Sequence, residues 1–369
     1  MTDKWISYTG HTVVENPNLN VYDAALARIR HLFSLSKNYV VSFSGGKDST
    51  TVLMLSLQVA KELGRLPLEV AYIDEEVIDP DTLAYVDELR YWNEISLRWF
   101  CVPIRHTLRS RSRTHWETWD PKAKDVWARP MPEWAITHKD IPTLKEEGSY
   151  GDVIKAYYLK TMGFENFVDV AGVRAAEAFN RRRVLLVSGS YIVLDANGKH
   201  IYSKPIYDWR TPDVWKAILM NHWPHSAYYD KLWAEQVGIE SQRVAPWGNV
   251  ASSRETRHYA SFYPDFWEKA TRRLPELTAA ARYGATALYR EVQNKPVGMT
   301  WQDYAGHLLK QLDFESQDYW NRHIGYALER YAKKHTTAFP EDGDTLSWKS
   351  FCFRMSKNDR MKGSSRDRA

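Results

Sequence analysis

The sequence predicts an α/β fold: a mostly parallel sheet with flanking helices, followed by a helical C-terminal domain. Three observations carry this. In the first half, short apolar runs alternate with segments of helical periodicity. Near the end of that half, Asn197-Gly198 separates two such runs, which is a hairpin signal. From about Tyr228 the strand signal vanishes and helical patterns take over.

Tyr39–Phe43 (YVVSF) is the first strand expected. A helix over Ser49–Leu63 follows, with Leu53, Leu57 and Ala60 on one face. Leu68–Ile73 (LEVAYI) is the second strand, and Asp79-Pro80 opens a helix as N-cap and first residue, running to about Ile95. Trp99–Ile104 and Phe167–Val173 supply the third and fourth strands, with a helix around Asp152–Met162 before the fourth. Val184–Leu194 and Lys199–Ile206 flank the hairpin turn. Between the third strand and the Asp152 helix, residues 105–150 form an irregular insertion rich in tryptophan and proline. Beyond it, Pro264–Leu274, Thr300–Leu312 and Gln317–His335 read as helices. The expected division is an α/β domain over 1–227 and a helical domain over 228–369.

Composition narrows the function. With 369 residues, 44% hydrophobic and 26% charged, the chain can bury a sizeable core. No apolar run approaches the roughly 18 residues a membrane span needs, and the N-terminus lacks a basic-then-apolar leader. A cytoplasmic protein without membrane contact is expected. Two cysteines, Cys101 and Cys352, exclude a disulfide framework, a four-thiolate iron–sulfur cluster and an all-cysteine zinc site. The histidines show no H-x-x-H or H-E-x-x-H spacing, so no zinc is expected. The tail from Phe351 holds six basic and two acidic residues, which accounts for the whole net charge of +4. It is either a solvated end or a nucleic-acid contact.

Ser44-Gly45-Gly46-Lys47-Asp48-Ser49 sits between the first strand and the first long helix. Two glycines allow a tight turn that brings N–H groups close to a ligand, and the helix start adds a positive dipole end. Ser44 and Ser49 add hydroxyl groups and Lys47 adds charge. The spacing is not that of a Walker A loop.

This loop resembles the SGGxDS pyrophosphate-binding loop of the PP-loop (N-type ATP pyrophosphatase) superfamily. Gly172-Val173-Arg174-Ala175-Ala176-Glu177 with Arg181, and Lys204-Pro205-Ile206-Tyr207-Asp208-Trp209 followed by Thr211-Pro212-Asp213-Val214-Trp215, resemble the phosphoadenosine phosphosulfate (PAPS) reductase-like branch. Tyr229-Asp230-Lys231-Leu232, Pro246-Trp247-Gly248 and Ser347-Trp348-Lys349 resemble the immunoglobulin-binding regulator A-like subgroup of phage and plasmid proteins. The resemblance implies an adenine nucleotide α-hydrolase-like, Rossmann-like fold and a ligand that is ATP or PAPS. It also implies chemistry at the α-phosphate that activates an acceptor for sulfur or amine transfer, and a ParB/sulfiredoxin-like partner protein. Two alternatives stand: a sulfonucleotide reductase or transferase using an external thiol, and a non-catalytic nucleotide-sensing regulator.

Ligands of such sheets bind at the carboxyl ends of the strands, near a switch point. Here those ends carry Ser44–Ser49, Ile73-Asp74-Glu75-Glu76, Arg105 and Gly172–Arg174. Asp48 and Asp74 are candidate Mg²⁺ ligands or, respectively, a helix-start carboxylate and a solvated strand end. Arg174 and Arg181 are candidate phosphate clamps. Lys47, Asp48, Asp74 and Arg174 form the expected catalytic set. The family's E-C-G-[IL]-H thiol motif is missing, and Cys352 lies between phenylalanines, as a buried hydrophobe would. Arg109, Arg111 and Arg113, with Trp116, Trp119, Trp127 and Trp134, fit either a bound nucleotide plus ordinary packing or a nucleic-acid contact.

Overall fold

The computed structural model describes residues 4–8, 11–15, 19–107, 115–144, 149–177, 181, 185, 190–247, 256–283, 295–296, 298–333, 336–342 and 347–356. They fall into two units, Met1–Ala280 and Ala281–Ala369.

In the first unit, strands β1 (Lys4–Tyr8) and β2 (His11–Glu15) form an antiparallel ribbon that the sequence reading did not anticipate. Helix α1 (Val21–Leu35) follows, its first turn capped by Asn20. Strand β3 (Tyr39–Phe43) then feeds helix α2 (Lys47–Glu62), and β4 (Leu68–Ile73) feeds helix α3 (Pro80–Glu88). Asp79 caps α3 as expected, but that helix stops well short of Ile95. The residues after it are claimed by strand β5 (Ile95–Cys101), whose Ile95 pairs with Leu68 of β4. Parallel pairing along β4 overrides local helical preference and sets this strand earlier than the expected Trp99–Ile104.

The insertion contributes a small ribbon, β6 (Arg105–Thr107) with β7 (His115–Glu117), and a short strand β8 (Ile136–Thr137). Helix α4 (Tyr150–Lys155) opens on a Ser149–Asp152 capping box and continues as a π-helical turn to Thr161. Strands β9 (Phe167–Ala171), β10 (Ile192–Leu194) and β11 (His200–Ser203) complete the sheet. Residues 184 and 186–189 of the expected first hairpin arm lie outside the described residues.

The seven strands run in the order β10-β11-β9-β3-β4-β5-β8, and every neighbouring pair is parallel except β10–β11. The chain moves outward from β3 through β4 to β5, then returns to β9 on the other side of β3. The switch point therefore lies between β3 and β9. Alternation buries both faces. Val41, Phe43, Val70, Tyr72 and Val170 pack under α1 and α2, while Val40, Ala71, Phe100 and Phe167 pack against Val153, Ile154 and Tyr158.

The expected division after residue 227 falls inside the first unit, which extends to Ala280. Tyr228, Leu232, Trp247, Tyr259 and Leu274 share one buried cluster with Val77, Trp116 and Ala128 from the α/β part. A buried ion pair, Arg273 Nε to Glu76 Oε1 at 2.7 Å, joins the same layers. The second unit is helical, as expected: Trp301–Lys310, Phe314–Ala332 and Trp348–Ser356 enclose Trp301, Trp320, Phe351 and Cys352. No helix among the described residues is long and apolar enough to cross a membrane. Of the basic tail from Phe351, residues 351–356 belong to the Trp348–Ser356 helix, whereas 357–369, with Arg109, Arg111 and Arg113, lie outside the described residues.

Candidate functional site

The loop after β3 forms the cradle its glycines suggest. Gly45 has φ +75°, and a Cβ there would lie 2.5 Å from Thr82 Cγ2 of α3. Gly46 sits at the N-cap of the 16-residue α2 and offers no side chain to cap it; the first N–H, that of Lys47, meets the Tyr229 hydroxyl. Across the switch point, Gly172 at the end of β9 is pressed onto the first turn of α2. A Cβ there would lie 2.5 Å from Asp48 C and O and 2.6 Å from Ser49 N. Only glycine permits that approach.

Side chains tighten the loop. Ser49 Oγ donates to Gly46 O (2.9 Å), accepts from Ser44 N–H (3.2 Å) and lies 3.1 Å from Ser44 Oγ. Lys47 is buried; its backbone N–H donates to the Tyr229 hydroxyl (2.9 Å) and its Nζ donates to Gln242 O (3.0 Å). Burial pushes the Lys47 ammonium down from its ordinary value, with Asp48 opposing that shift. Asp48 lies between two cations, with Arg174 Nε at 2.6 Å and Lys47 Nζ at 3.4 Å. Arg174, also buried, extends the chain of contacts to Thr211 Oγ1 (3.3 Å), whose hydroxyl donates to Glu240 (2.6 Å). The structure thus brings together Ser44, Gly45, Gly46, Lys47, Asp48, Ser49, Gly172 and Arg174. Glu177 joins this cluster, its carboxylate accepting the Arg174 backbone N–H at 3.1 Å, so Lys47 and Arg174 face two carboxylates.

A cavity of 590 Å³ opens beside this loop. Phe43 and Ser44 of the β3 end, Ile73 and Glu75 of the β4 end, and Ala171 of the β9 end line it, with Tyr150 of α4 across from them. Ser42 and His200 both hold Asp169 within the same lining, at 2.6 and 3.0 Å. Glu75 accepts a hydrogen bond from the Tyr150 hydroxyl, and burial pushes its carboxyl up to about 7. His106 Nε2 stands 3.5 Å from Glu75, and burial lowers that imidazole to about 4.

Three expected residues are placed elsewhere. Asp74 is fully buried and its carboxylate is taken up by Trp99 Nε1 (2.8 Å), Glu76 N–H (2.9 Å), Cys101 Sγ (3.6 Å) and the Arg129 guanidinium. Asp48 meanwhile is committed to Arg174 and Lys47. The two carboxylates are thus held by separate partners, and no group of three metal-ligating side chains occurs among the described residues. Arg105 is exposed on the β6–β7 ribbon against His115, and Arg181 turns to Glu177 one helical turn away. Trp116 and Trp119, weighed as base-stacking platforms, are core residues, and Arg90 covers the Trp134 ring at 3.6 Å.

Residues 38–238, more than half of the chain, match the phosphoadenosine phosphosulfate reductase domain. The chain belongs to that family. Residues 236–345 match a domain of unknown function, DUF3440. An Escherichia coli (strain K12) relative, "Uncharacterized protein YbdN", is 26% identical over 92% of this chain and 89% of its own length. A Candida auris PAPS reductase in a phosphate complex covers 63% of this chain and 90% of its own, with 14% identity and a TM-score of 0.35. The Candida glabrata FMN adenylyltransferase bound to FAD and inorganic pyrophosphate covers 57% and 58%, with 15% identity and a TM-score of 0.38.

Sequence reasoning missed Tyr229, Gln242, Thr211 and Tyr150, and placed Glu75 at a strand end without a role. Tyr229 and Thr211 lie in stretches that carried the resemblance, but nothing in their spacing assigns them to the loop. The family's thiol chemistry has no counterpart among the described residues. Cys101 is buried against Asp74, and Cys352 is buried with its thiol pushed up to about 12.

Proposed function

We propose that this chain binds an adenine nucleotide with its phosphates on the Ser44–Ser49 loop and catalyses attack at the α-phosphate. The observation that carries the reading is the glycine-started α2 N-terminus at the switch point, closed by Gly172 and flanked by the 590 Å³ cavity. Helix start, the Lys47 ammonium and the cavity fit a phosphate tail on a ring system. ATP would supply a phosphoanhydride whose cleavage activates an acceptor. An acceptor oxygen forms a bond to the α-phosphorus as the bond to the bridging oxygen breaks, and pyrophosphate leaves with that electron pair. The α2 N-terminus and Lys47 would hold the departing pyrophosphate, and Arg174 would keep Asp48 from repelling it.

A PAPS-reducing reaction would need an outside thiol, because both cysteines are buried. Chromatography of products with ATP, and with PAPS plus dithiothreitol, tests the reading. AMP and pyrophosphate from ATP, with PAPS unchanged, is the expected result. Sulfite from PAPS would overturn it in favour of the reductase, and tight binding without turnover of either would favour a nucleotide-sensing regulator.

A further inference from the structure

The first unit holds a second cavity, of 770 Å³, that shares no lining residue with the one beside the phosphate loop. Its aromatic wall is Trp119 and Trp127, set edge to face with centroids 5.2 Å apart. Trp127 is fixed by its indole N–H to Asp120 O at 2.9 Å. Three separate chain segments bring cations to this concavity: Lys124, Lys139, and Lys269 with Arg272 on the helix Pro264–Arg273. All four are exposed and none makes an ion pair among the described residues. No carboxylate lines the cavity, and the neighbouring Asp140 is occupied by Thr137 N–H and Oγ. Arg129 also lines it, but that guanidinium is committed to Asp74.

Ordinary surface intersperses both signs of charge, whereas four unpaired cations around one concavity repel one another until an anion enters. The volume is that of a small-molecule site. We propose that this cavity binds a nucleotide unit, its ring against Trp127 and its phosphate among Lys124, Lys139, Lys269 and Arg272. The unit is either a free nucleotide or one residue of a single strand; the chemistry of recognition is shared. Both cavities adjoin the carboxyl end of β4, since Asp74 holds Arg129 of the second and Glu75 lines the first. The inference stands apart from the proposed α-phosphate chemistry.

Thymine probes keep the two sites distinct. Fluorescence anisotropy reads binding of a fluorescein-labelled oligothymidylate, and calorimetry reads thymidine monophosphate. The combined variant Lys124→Gln, Lys139→Gln, Lys269→Gln, Arg272→Gln changes only exposed side chains, and circular dichroism checks its fold. Wild type should bind with an affinity that falls with salt, and the variant should bind about tenfold or more weakly with a shallower salt slope. Loss on both probes assigns the site to a free nucleotide; binding and loss on the oligothymidylate alone assigns it to a strand. ATP binding at the phosphate loop should persist in the variant. Neither probe binding at low salt, or a variant with unchanged affinity and slope, would overturn the proposal.

Discussion

Gly172→Ala places one methyl group where β9 meets α2. The added Cβ would lie 2.5 Å from Asp48 C and O, against the 3.4–4 Å of ordinary contact, so strand and helix must separate by about an ångström. Both neighbours are backbone, and no rotamer change relieves the contact. Overpacking of this kind costs about 1–3 kcal/mol. For a unit this large that lowers the melting temperature by roughly 2–5 °C. The same shift moves the α2 N-terminus relative to the cavity, so ATP affinity should fall about tenfold. Differential scanning fluorimetry with and without ATP reads both effects. Gly325→Ala, in an open helical position with nothing within 4 Å, is the control and should melt no lower than wild type. A Gly172→Ala protein with wild-type melting and full ATP affinity would refute the close approach and the role given to it.

Glu76→Ala should destabilise the first unit by about 3–5 kcal/mol in urea unfolding, because it strands the buried Arg273 guanidinium and frees the Trp119 and Ala128 N–H groups. A loss below about 1 kcal/mol would show that residues 228–277 do not depend on this pair. Glu75 gives a pH signature. Its carboxyl is raised from 4.5 to about 7, so the folded state binds a proton that the unfolded chain has released. That contribution is complete below 4.5 and disappears as pH rises through about 7. Glu75→Gln should flatten the stability difference across this window, and an unchanged profile would contradict the assignment. Cys352→Ser should keep any nucleotide-dependent turnover, since the thiol only donates to Trp301 O at 3.2 Å. A folded variant that binds nucleotide without turnover would restore a thiol nucleophile.

Much of the fold was legible because its signals are local. β3, α2 and β4 follow apolar periodicity closely, and Asp79-Pro80 marks the start of α3. The end of α3 was not legible, since β5 is defined by its pairing with β4, information that no single window contains. The packing of residues after 227 onto the sheet layers was not legible for a related reason: Tyr228 and Trp247 look like any helical or loop aromatics until they meet Val77 and Trp116. At the site, the phosphate loop was readable because glycines and hydroxyls occupy fixed offsets. Asp74 shows the limit of that reasoning. A carboxylate at a strand end reads as a ligand, but Trp99 and Arg129, distant in sequence, turn it inward. Tyr229 is the converse, a residue without local signal whose hydroxyl accepts the Lys47 N–H.

The central claim is that an adenine nucleotide seats its phosphates on the Ser44–Ser49 loop. Calorimetric titration of ATP and of PAPS into wild type and into the combined Ser44→Ala, Lys47→Ala, Ser49→Ala variant tests it most directly. Charge-assisted phosphate contacts contribute about 1.5–3 kcal/mol each, so the variant should lose at least about tenfold in affinity for whichever nucleotide the wild type binds. A folded variant with undiminished affinity for both nucleotides would contradict the account.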